Sequence, residues 1–165
     1  MSLATIRFRF SQRFPFPARA VYDWCVDFQP DDVARLGRRG RRRIEHLNDD
    51  TFLRTDTFLT DDGGKVVKQR LVCLYPERLS WNNTHTKGPS RHSQFLYEIV
   101  PEGDDACRLD FTGRQLVEMD AIDARRKAEL ARSIRREDSA TWKLLARALA
   151  KELRSGPARR PARRP

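Results

Sequence analysis

From Thr5 the chain alternates, with Ile6, Phe8 and Phe10 on one side and Thr5, Arg7, Arg9 and Ser11 on the other. A period of two marks a strand with one buried face. Phe14-Pro15-Phe16-Pro17 stops it, because proline cannot donate to a ladder and its ring fixes φ. The period then changes: Ala18, Val21, Cys25 and Phe28 recur at helical spacing and predict a short amphipathic helix from Pro17 to near Pro30. Asp31 to Leu36 reads as a second, shorter helix closed by Gly37. Hairpins follow, with a weak strand at Ile44 to Leu47, a stronger one at Phe52 to Thr60, a turn at Asp62-Gly63 and a strand from Val66 to Tyr75. Phe52 and Phe58 share one parity and Leu53 and Leu59 the other, so the pattern leaves the inward face of these strands undecided.

The next three strands are placed in register by requiring their apolar residues to share a face. Leu79 and Trp81 alternate on the first, Phe95, Tyr97 and Ile99 on the second, and Leu109, Phe111 and Val117 on the third. With turns at Gly88-Pro89-Ser90 and at Glu102-Gly103-Asp104-Asp105, Trp81 stands opposite Tyr97, Asn83 opposite Phe95, Tyr97 opposite Phe111 and Phe95 opposite Gly113. One register satisfies both hairpins, turns Asn83 and His85 inward among the aromatics, and turns His92 outward.

The last element is a long helix with Asp120 as its N-cap and Ser155-Gly156-Pro157 as its stop, about 50 Å at ~1.5 Å per residue. Its apolar stripe runs through Ile122, Leu130, Ile134, Leu145, Leu149 and Leu153 but is interrupted by Arg126 and Asp138. Charges in the stripe predict that the first half faces something wet or hollow. From Ser155 onward the chain is low in complexity and is expected to be disordered.

Composition narrows the classes. The 165 residues suit one domain, residues 1–154, followed by a basic Pro/Ala/Arg-rich tail, 155–165. No apolar run of ~18 residues exists, which excludes membrane insertion. The Arg/Phe alternation of the first residues is no signal peptide, and the cytoplasm is expected. Cys25, Cys73 and Cys107 lack the paired spacing of a zinc or redox site and read as small buried hydrophobes, so neither metal nor cofactor is expected. Of the net charge of +10, five belong to Arg154, Arg159, Arg160, Arg163 and Arg164. The other five belong to Arg38, Arg39, Arg41, Arg42 and Arg43, which read as a solvated loop; the rest of the domain is neutral. With no interleaved aromatics and no phosphate-binding fingerprint, any nucleic-acid binding is expected to be weak and nonspecific.

Three segments carry a resemblance: Phe14-Pro15-Phe16-Pro17-Ala18-Arg19-Ala20-Val21-Tyr22-Asp23-Trp24, then Tyr75-Pro76-Glu77-Arg78-Leu79-Ser80-Trp81, then Phe95-Leu96-Tyr97-Glu98-Ile99 with Cys107-Arg108-Leu109-Asp110-Phe111. Their order and spacing, from about Thr5 to Leu153, resemble the START-like or helix-grip superfamily, also called SRPBCC. This group includes polyketide cyclases, lipid-transfer domains and plant hormone-binding proteins. The resemblance implies an α+β fold, a curved antiparallel sheet of about seven strands gripping one long C-terminal helix, with two short helices after the first strand and an apolar cavity between sheet and helix. It transfers no catalytic residue, since one fold hosts many chemistries.

Under that fold, Trp81, Phe95, Tyr97, Leu109 and Phe111 either fill an ordinary core or wall a pocket. Asn83 and His85 add the few polar groups a small-molecule site uses, and Gly113, opposite Phe95, marks a bulge or leaves volume unfilled. Arg126 either reaches the cavity mouth to meet a carboxylate or snorkels to solvent. His85 is either a general base or a satisfied structural group. Glu98, Asp110, Arg108 and Arg114 fall outward as a ladder of ion pairs. The expected function is binding or transport of a small hydrophobic molecule. The alternatives are a polyketide cyclase or dehydratase using His85, and a macromolecule-binding module using the arginine clusters.

Overall fold

The computed structural model describes residues 2–30, 32–35, 37–119 and 123–155. The elements run β1 (Ser2–Phe14), α1 (Ala18–Cys25), α2 (Asp32–Arg35), β2 (Gly40–His46), β3 (Thr51–Leu59), β4 (Lys65–Tyr75), a turn of 3-10 helix (Pro76–Arg78), β5 (Ser80–Lys87), β6 (Gln94–Pro101), β7 (Cys107–Met119) and α3 (Ala124–Ser155). Among the described residues the seven strands form one antiparallel sheet in the order β1-β7-β6-β5-β4-β3-β2. Every neighbour but one is a hairpin partner. The exception joins β1 to the last strand, setting Phe8 beside Gly113 and Phe10 beside Phe111.

Alternation decides the sheet's two faces. Ala4, Ile6, Phe8 and Phe10 are buried, as the pattern of β1 requires. The expected register of β5, β6 and β7 is found pair for pair: Trp81 with Tyr97, Asn83 with Phe95, Tyr97 with Phe111, Phe95 with Gly113. On β3 the undecided parity resolves in favour of the even positions, so Phe52, Arg54, Asp56 and Phe58 are buried while Leu59 is exposed.

Three expectations are corrected. α1 ends at Cys25 rather than near Pro30, since Phe28 has φ of 42° and cannot continue a helix. The arginine cluster is only partly a solvated loop: Arg38, Arg39, Arg41 and Arg43 are exposed as expected, but Gly40–His46 is strand β2, and its pairing with β3 sets Arg42 beside Asp56, where the Arg42 side chain is only 5% exposed. Of the cysteines, only Cys107 is buried; Cys25 and Cys73 are half-buried, and all three are free.

α3 lies across the inner face. Its N-cap is Asp123, whose Oδ1 accepts the Arg126 backbone N–H at 2.8 Å; the expected cap Asp120, the stripe residue Ile122 and the tail beyond Ser155 lie outside the described residues. Leu130, Ala131 and Ile134 pack on the cluster of Ile6, Phe8, Phe10, Phe95 and Phe111. Ala146, Leu149 and Leu153 pack on a second cluster that includes Val21, Tyr22 and Trp81. Trp24 of α1 donates its indole N–H to Glu152 at 2.9 Å and ties the short helix to the long one. The wet part of the stripe is therefore mid-helix at Asp138 and Thr141, between the two packed stretches, and not the whole first half. On the outer face Arg108 pairs with Asp110 at 2.7 Å and with Glu102 at 3.0 Å, part of the expected charged ladder.

Candidate functional site

Between the sheet and α3 lies a cavity of about 420 Å³, within the range that takes a small molecule. Its wall on β5, β6 and β7 is aromatic because the period-two alternation puts one ring per strand on the same level. Trp81 and Tyr97 stack with centroids 4.7 Å apart and planes 2° from parallel. Phe111 meets Tyr97 edge-on at 4.9 Å, and Phe95 stacks on Phe111 at 5.7 Å. From α3, Trp142 closes the wall, 5.8 Å from Tyr97.

The floor on β2, β3 and β4 is charged. Asp56, 1% exposed, accepts from Arg42 Nε at 2.7 Å and from Arg70 Nη1 at 2.5 Å, and Arg54 Nε lies 3.3 Å from its second oxygen. Arg42 also reaches Asp32 at 2.6 Å. Burial alone would raise the Asp56 pKa, but Arg54, Arg42 and Arg70 hold it down at about 2. Burial and the neighbouring Arg70 drop the pKa of Arg54 to about 9, a pull that Asp56 only partly offsets. Arg70 donates Nε–H to His85 Nε2 at 2.9 Å, which leaves the imidazole proton on Nδ1. Burial first, then the Arg70, Arg54 and Lys68 charges, lower the His85 pKa to about 3. Across the cavity Asp138 is pushed up to about 6 by burial and by Glu137, against the opposing pull of Lys68 and Arg70. Burial raises Tyr97 to about 12, so its hydroxyl stays neutral, 3.4 Å from the Asn83 amide nitrogen that donates to it.

No family model matches the sequence, and no curated protein matches it. Solved structures do. The Zhui aromatase/cyclase from a Streptomyces species is 10% identical, covers 92% of this chain and 98% of its own, and superposes with a TM-score of 0.71. Norcoclaurine synthase from Thalictrum flavum is 12% identical over 96% of this chain and 91% of its own, TM-score 0.68. A protein of unknown function from Staphylococcus aureus is 12% identical over 93% and 99%, TM-score 0.75. The chain has the helix-grip fold. Identities this low carry the architecture and leave the chemistry to this chain's own residues.

Within the helix-grip cavity the structure gathers Trp81, Asn83, His85, Phe95, Tyr97 and Phe111 from the expected set. Three others fall elsewhere. Leu109 is fully buried in the cluster with Phe14, Ala18 and Val21. Gly113 opens no volume, because a Cβ there would sit 2.6 Å from the Phe8 ring; the missing side chain is replaced by a phenylalanine from the adjoining strand. Arg126 is exposed in the first turn of α3, outside the lining. Sequence reasoning missed Arg42, Arg54, Asp56, Lys68, Arg70, Asp138 and Trp142. The interruption of the helix stripe at Asp138 was the one available signal. Among the described residues no group of His, Cys, Asp and Glu could hold a metal ion, and no helix is long and apolar enough to cross a membrane.

Proposed function

We propose that this protein binds a small molecule with a planar apolar body in the cavity between sheet and α3. The observation that carries the reading is the run of rings from Trp81 through Tyr97, Phe111 and Phe95 to Trp142, facing about 420 Å³. Rings of this kind recognise other rings by offset stacking and edge contacts. Two structures of the same fold support it: the norcoclaurine synthase whose complex holds dopamine and hydroxybenzaldehyde, and the aromatase/cyclase. The test is a titration of neutral and ionised naphthalene derivatives, read by quenching of the Trp81 and Trp142 fluorescence. Saturable binding is expected, and Thr141→Trp, which puts an indole into the cavity from α3, should weaken it at least tenfold. Wild-type protein that saturates with none of them overturns the reading.

An acid–base enzyme is the second reading, and Asp138 supports it where His85 does not. The His85 Nε2 lone pair is occupied by Arg70 and the ring remains neutral down to about pH 3, so it takes up no proton near neutrality. Asp138, titrating near 6 inside the cavity, has the pKa a general base uses. Turnover of a cyclisable polyketone with a rate that rises through pH 6 and is lost in Asp138→Asn would favour catalysis over carriage. The arginine cluster supports no concerted nucleic-acid site: Arg42 is buried in ion pairs, Arg38 lies over the Phe58 ring, and Arg39 and Arg43 face Asp61 and Glu45.

A further inference from the structure

The cavity has two chemically different halves, and the charged half has more positive groups than it can pair. Arg38, Arg42, Arg54, Lys68 and Arg70 line it against Asp32, Asp56 and Asp138. Arg42 is spoken for by Asp56 and Asp32. Asp56 alone then faces Arg54 and Arg70. Arg54 is 9% exposed, and although its Nε lies 3.3 Å from Asp56, this atom has no hydrogen-bond partner; neither does His85 Nδ1, which carries that ring's proton. Two buried donors, on β3 and β5 with Arg70 of β4 paired between them, thus lack hydrogen-bond acceptors beside a pocket with surplus positive charge. A buried unpaired charge costs several kcal/mol unless an opposite charge meets it, and the planar guanidinium fork matches the two oxygens of a carboxylate.

We propose that the molecule bound here is an organic anion: a planar apolar body stacked along the Trp81–Tyr97 wall, with a carboxylate-like acidic group seated on the Arg54 guanidinium and within reach of Arg70. The proposal rests on the cavity being a ligand site and specifies which molecules enter it. The depressed pKa of Lys68, caused by burial and by the Arg70 and Arg38 charges, agrees with a site that is short of negative charge.

The test uses three ligands of one shape, 1-naphthoate, 1-naphthamide and 1-naphthylmethylammonium, titrated at pH 7 by tryptophan quenching and calorimetry, with acetate and inorganic phosphate as ring-free competitors. Naphthoate is expected to bind at least tenfold tighter than the amide, with the ammonium weakest, and the two small anions should compete only at millimolar levels. Arg54→Gln should collapse the ratio of acid to amide affinity to within about threefold. Because Arg54 is buried, Lys68→Gln is the second variant, expected to reduce the ratio by a smaller factor without unfolding the protein, as far-UV circular dichroism would check. Equal affinity for acid and amide, or tightest binding of the ammonium, overturns the anion proposal and leaves the aromatic site standing. Failure of all three to saturate overturns both.

Discussion

Asp56→Asn isolates the charge at the centre of the cavity floor while keeping the size of the side chain. The carboxyl titrates at about 2 rather than 3.8, a difference worth about 2–3 kcal/mol in favour of the ionised form. Taking the charge away forfeits that term and leaves Arg42, Arg54 and Arg70 facing one another with the single remaining partner Asp32, so the loss should reach about 3–5 kcal/mol at pH 7. Urea unfolding followed by tryptophan fluorescence reads it directly: with a slope of about 1–3 kcal/mol/M, the midpoint should fall by roughly 2 M. The pH dependence supplies a second reading. A carboxyl whose folded pKa is depressed contributes stability that is present above 3.8 and is lost as pH falls through 2. The gap between wild type and variant should therefore narrow as pH is lowered from 4 to 2. A loss below about 1 kcal/mol at pH 7, or a gap that does not change with acid, would show that the arginines do not depend on Asp56 and would refute the charge accounting of the floor.

Gly113→Ala should cost about 1–3 kcal/mol, because the new Cβ meets the Phe8 ring rather than the cavity; thermal unfolding gives the cost, and an unchanged affinity for naphthyl ligands checks that the cavity is untouched. Asp138→Asn should stabilise by about 1–2 kcal/mol at pH 7 and by almost nothing at pH 4, discounted for the partial exposure of the side chain. The sign follows from its folded pKa of about 6: a raised pKa contributes stability that is full below 3.8 and lost as pH rises through 6, so at neutrality the ionised carboxylate is a burden the amide removes. Urea midpoints at the two pH values decide it. Leu149→Ala, at the one fully buried position of α3, should cost about 2–5 kcal/mol in a denaturant titration by leaving a void among Val21, Tyr22 and Trp81.

Where residues adjacent in sequence carried the information, the chain alone was enough. Alternation in β1 named its buried face, and one shared register for two hairpins aligned Trp81, Tyr97 and Phe111, since side chains repeat every two residues and a slip by one would expose them all. The order and spacing of the elements, with a long helix last, carried the resemblance to the helix-grip superfamily, and it was this resemblance that implied the fold class. The charged floor was a different matter. Arg54, Asp56 and Arg70 lie on strands whose inward face the local pattern left undecided, and Arg42 read as part of a solvated loop, because a polar side chain is normally solvated. Only the pairing of β2, β3 and β4 sets three guanidinium groups around one carboxylate, where each makes the burial of the others tolerable. Gly113 was misread for a related reason: the volume beside a glycine belongs to whichever neighbour fills it, and here that neighbour, Phe8, is about a hundred residues away in sequence. The same holds for Asp138 and Trp142. Their helix periodicity is local, but the group each one faces is set by how α3 lies across the sheet, which tertiary packing alone decides.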